Sequence, residues 1–122
     1  MRYFITTADG YRVSLEQLQQ YALVAITWLH PLALEILCRA RSSQHVAAYP
    51  DVAELADTIL ASPRNAVATV SAAPEASQAR LCIAMALAFE ARCPGAWVSC
   101  DPEDVADQAY VASVHASATM LQ

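Results

Sequence analysis

The chain has 122 residues, of which 57% are hydrophobic and 16% charged, and its formal net charge is −5. That length suits one domain with a core of its own, and so apolar a composition excludes extended disorder. All seven bases are arginine, and against twelve acids they repel phosphate backbones and anionic bilayers alike, which argues against direct nucleic-acid or membrane binding.

In chain order, Arg2–Thr7 carries β-branched and aromatic residues, Ala8-Asp9-Gly10 supplies a turn, and Tyr11-Arg12-Val13 resumes the extended pattern. Together they predict a short β-hairpin. Ser14 followed by Gln17 forms a capping box for a first helix. Its core stripe is Leu15, Leu18, Ala22, Ile26 and Leu29, opposite Glu16, Gln17, Gln19 and Gln20.

Residues 21–38 are apolar on every side except at His30 and Glu35, so the helix is expected to run from the surface into the core. Pro31 ends or kinks it near Leu29. A second helix follows over 32–41, and Ser42-Ser43-Gln44-His45 reads as a loop. Asp51 with Glu54 reads as a second capping box. Val52, Leu55, Ala56, Ile59 and Leu60 behind it make a regular helical stripe.

Ser62-Pro63 opens a further short helix, although Ala66–Val70 fits an extended segment equally well. Pro74-Glu75 begins a helix that is apolar all round between Leu81 and Phe89 and stops at Cys93-Pro94-Gly95. Ala84, Ala88 and Ala91 give it a face for close helix approach. Residues 96–100 are extended in character and suit pairing with the hairpin. Asp101-Pro102-Glu103-Asp104 has the cap, proline and acids of a last helix start. With no internal repeat or linker, residues 1–122 form one domain. The fold expected is a mainly α bundle of five or six helices with a small amino-terminal β-hairpin, α+β by a strict count.

Glycine narrows the chemistry. Only Gly10 and Gly95 occur, so no glycine-rich loop can wrap a phosphate. There is no Gly-x-Ser-x-Gly elbow and no His-Glu-x-x-His. His30, His45 and His115 with Cys38, Cys82, Cys93 and Cys100 lack the close pairs that structural zinc prefers, so neither metal nor cofactor is expected and the thiols read as reduced. His30 beside Pro31 reads as a junction residue. Glu35 is either a buried acid or, as we prefer, the solvated edge of its helix.

A secretory leader is not evident at residues 1–10, and His30-Pro31 with Glu35 breaks the one span of membrane length, so a cytoplasmic location is expected. Helices without a polar face predict self-association as a homodimer. The acids Asp101, Glu103, Asp104 and Asp107, with Trp97 and Tyr110, form the candidate partner-binding set. They suit a basic protein surface of the kind that holds nucleic acid.

The function expected is that of a non-catalytic, acidic protein-binding module. Inhibitors, immunity proteins and phage antagonists of bacterial defence, anti-CRISPR-like proteins among them, share this format. The arginine-only, alanine-rich composition fits a bacterial or phage source. The alternative is a small helical ligand-binding or enzymatic domain, with Glu35, His30 or a cysteine in a pocket between helices.

Overall fold

The computed structural model describes residues 3–100, 108–109, 111–113 and 115–116. Strands β1 (Tyr3–Thr6) and β2 (Arg12–Ser14) form the hairpin, and helices α1 (Leu15–Thr27) and α2 (Pro31–Arg41) follow. Next come α3 (Gln44–Ala47), α4 (Pro50–Ala61), a 3₁₀ turn at Pro63–Asn65, α5 (Ala66–Ala72), α6 (Glu75–Arg92) and β3 (Trp97–Cys100). The fold is mainly α with a small antiparallel sheet, as the sequence predicts.

The sheet order is β2-β1-β3, with Ile5 opposite Val13 on one side and Val98 on the other. Ile5 and Val98 face inward, while Phe4 and Arg12 lie outward, the guanidinium 3.8 Å from the ring centroid. Both glycines have positive φ. Gly10 closes the hairpin, its N–H donating to Thr7 O at 2.9 Å. Gly95 sits so close to the hairpin turn that an added Cβ would lie 2.6 Å from that of Ala8.

Two apolar clusters meet on α6. Leu81, Ala84, Met85 and Ala88 join Ile26, Ile36, Leu37, Val52 and Ile59 in the helical cluster. Cys82, Ala86 and Leu87 join Ile5, Leu15, Ala96 and Val98 beneath the sheet. A helix wedged between two cores needs no wet side over those turns, which accounts for its composition. Ala84 and Ala88 are buried as the small-residue face requires, whereas Ala91 is exposed.

The other apolar stretch enters the core on one side only, through Leu23, Ile26, Ala33, Ile36 and Leu37. The axes of α1 and α2 are bent by 114°, and Tyr21 and Val24 stand exposed on α1, with Trp28 exposed at its C-cap. Leu29 leaves the core stripe as well: it is exposed and adopts φ 61°. Its N–H donates to Ile26 O and that of His30 to Ala25 O, each at 2.9 Å, a Schellman ending with leucine where glycine is usual. His30 then caps α2 through Nδ1, which accepts from Leu32 N–H at 3.2 Å.

Two further expectations are corrected. Residues 44–47 are helical, capped by Ser43 accepting from Val46 N–H and held by burial of Val46 in the helical core. The N-cap of α4 is Tyr49, with Pro50 at the first helical position. Asp51 is already inside the helix, where its carboxylate accepts from the buried Ser77 hydroxyl at 2.5 Å and ties α4 to α6. Among the described residues, no single helix is long and apolar enough to cross a membrane.

Candidate functional site

Trp97 opens β3, the edge strand, and lies across from Thr6 on the outer face of the sheet. It is 54% exposed. The indole does not project freely: the His115 ring lies 3.6 Å away centroid to centroid, tilted by 31°. His115 is fixed in turn by Glu90, whose Oε2 lies 2.8 Å from His115 Nε2. The same oxygen accepts the N–H of Val98.

The physical origin of this cluster is the sheet edge. Val98 N–H points away from β1 and would be left without a strand partner. Glu90, one turn beyond Ala86 on α6, supplies the acceptor. The Glu90 and His115 side chains are 15% and 12% exposed, so their contact is shielded from bulk water. The result is a carboxylate, an imidazole and an indole in sequence, with the indole outermost. Neither Glu90 nor His115 belonged to the candidate set. A lone acid near the end of α6 reads as a solvated helix end, and nothing local ties it to a strand.

Trp97 is therefore large, more than half exposed and packed against the His115 ring. Asp101, Glu103, Asp104, Asp107 and Tyr110 lie outside the described residues.

Glu35 is an edge residue, paired with Arg92 at 2.8 Å and with Arg39 one turn ahead at 3.7 Å. Cys38 is exposed and Cys82 buried. The Cys82 thiol donates to Leu15 O at 3.1 Å, and burial, reinforced by Glu16, pushes its pKa up to about 12. Among the described residues, no three His, Cys, Asp or Glu are grouped so as to hold a metal ion.

Cavities among the described residues include two that bear on the candidates. One of about 20 Å³ lies among α1, α2 and α6, lined by Leu18, Gln19, Ala22, Ile36, Cys82, Met85 and Phe89. The other, of about 230 Å³, is open to solvent and lined by Thr27, Trp28, Leu29 and Arg64. Neither contains Glu35 or His30. Compared with protein-family models, curated proteins and solved structures, the chain matches none.

Proposed function

We propose that the chain is a non-catalytic protein-binding module that acts in the cytoplasm as an inhibitor or immunity-type antagonist. Its target is a basic protein surface. The observation that carries this reading is Trp97, an indole more than half exposed yet oriented by His115 and Glu90. Rigid aromatics give contact area with little loss of side-chain freedom, which is why tryptophan is enriched among interface anchors. The net charge of −5 supplies attraction towards a basic partner, and Asp101, Glu103, Asp104 and Asp107 follow Trp97 in sequence.

The cavities favour binding over catalysis. The one among α1, α2 and α6 has room for about one water molecule. The open one gathers one cation and one hydroxyl beside two apolar side chains, which is recognition chemistry rather than acid–base chemistry.

The test is capture from a host lysate with the immobilised full chain, the Trp97→Ala variant and the Asp104→Asn/Asp107→Asn double variant. One basic protein should be retained by the wild type and lost on Trp97→Ala. Its yield should fall less in the double variant. Identical captured sets for all three chains would overturn the proposal.

A further inference from the structure

The exposed face of α1 is independent of the Trp97 surface and has a different chemistry. Gln17, Tyr21, Val24 and Trp28 are all exposed and recur at intervals of four, three and four residues. That is the spacing of a seam along which two helices pair by inserting side chains between one another. The seam carries no charge, although the chain has nineteen charged residues. Beside a twofold axis a charge lies close to its own copy and is repelled, so a seam without charge suits self-pairing.

The ends of the seam are complementary. Glu16 is exposed at the amino-terminal end of α1. Arg64 is exposed at the other end, where it closes the open cavity with Thr27, Trp28 and Leu29. On a helix of 3.6 residues per turn, Glu16 and Thr27 fall on the same edge of the seam. Antiparallel pairing about an axis between Tyr21 and Val24 sets Gln17 against Trp28 of the second copy. It also brings Glu16 of each chain to the Arg64 cavity of the other, and it opposes the two helix dipoles. Parallel pairing would gather both Arg64 side chains at one end.

Tyr21 is 69% and Trp28 81% exposed, and with Val24 and Leu29 they offer on the order of 500 Å² per chain. Two copies that covered this surface fully would remove about 1,000 Å², the size at which specific interfaces begin. We infer that α1 pairs antiparallel with α1 of a second copy of this chain through the Gln17–Tyr21–Val24–Trp28 seam, with Glu16 of each copy reaching Arg64 of the other.

Sedimentation equilibrium of the reduced full chain, at up to roughly 100 μM, tests this in a range that resolves micromolar association. The wild type should be dimeric. Val24→Arg sets two cations beside the axis and should weaken association by roughly tenfold or more, with the circular dichroism spectrum unchanged. Glu16→Arg and Arg64→Glu should each weaken it by roughly two- to fivefold, as an exposed ion pair would, and together should restore it. That rescue separates pairing from any effect on the monomer's fold. A monomeric wild type, a dimer indifferent to Val24→Arg, or two reversals that simply add would each overturn the inference. So would a monomer that floats with phosphatidylserine vesicles, which would assign the seam to a membrane surface.

Discussion

The carboxylate of Glu90 and the imidazole of His115 meet at 2.8 Å across 25 residues of sequence, and the same Glu90 oxygen takes the edge-strand N–H of Val98. One acid thus closes the sheet edge and holds the ring that supports Trp97.

Removing that acid should undo both. Glu90→Ala is expected to lower stability by about 1–3 kcal/mol, the cost of leaving a shielded donor without its acceptor. Glu90→Gln should cost less, because its amide oxygen can still accept from Val98. In urea unfolding, a double-mutant cycle with His115→Ala should give a coupling of about 1 kcal/mol or more. Purely additive effects would mean that the contact holds nothing.

Gly95→Ala should destabilise by about 1–3 kcal/mol. The new Cβ would sit within 2.6 Å of Ala8 Cβ, and alanine is strained at the observed φ of 85°. Gly10 shares the positive φ but has open space around it, so Gly10→Ala should cost only the backbone strain, about 1 kcal/mol. Thermal unfolding of the pair separates the steric from the conformational part.

Leu29→Gly should hold stability level or raise it by up to about 1 kcal/mol. Relief of the left-handed strain at φ 61° outweighs the added chain entropy, since the side chain is largely exposed. Leu29→Val should lose about 1 kcal/mol, because β-branched residues resist that conformation. A loss on Leu29→Gly as large as on Leu29→Val would show that the leucine side chain itself is needed.

Stability should fall as the solution is acidified below pH 6.5. Burial holds the His45 pKa below its ordinary value of 6.5, so over that window the unfolded chain binds more protons than the folded one. The contribution is present above 6.5 and lost as pH drops through the folded value. Partial exposure limits it to on the order of a few tenths of a kcal/mol. Asp51, held low chiefly by the Ser77 hydroxyl, and Asp57, held low by Arg41, add losses in the same direction below 3.8. Replacing His45 by glutamine should flatten the upper part of the profile and leave the lower part.

Periodicity made α4 legible, because Val52, Leu55, Ala56 and Ile59 are buried where the pattern says they should be, whereas α6 was legible from Pro74-Glu75 at its start and Cys93-Pro94-Gly95 at its end. Composition misled in the later turns of α1, although Leu15 and Ile26 of its periodic stripe are buried. Tyr21, Val24 and Trp28 look like core when only hydrophobicity is counted, and composition cannot tell burial by the chain's own helices from an open face. The 114° turn at Leu29 decides between them, and its left-handed residue is a leucine rather than the glycine that usually marks such an ending. Capping was legible where a serine precedes the helix directly, at Ser14, and misleading at Asp51, where Pro50 had already started the helix. Trp97 was recognisable as a candidate from its type alone. Its supports were not, because Glu90 and His115 become neighbours only once β3 has paired with β1.

Central to this account is that Trp97 anchors a basic partner which the chain's acids attract. The most direct measurement is the association rate with the captured partner, taken from low to high salt for the wild type, Asp104→Asn/Asp107→Asn and Trp97→Ala. The wild-type rate should fall steeply with salt, on the order of tenfold or more. The double asparagine variant should start slower and vary less, and Trp97→Ala should chiefly hasten dissociation. A salt-independent rate combined with unchanged dissociation of Trp97→Ala would contradict the account.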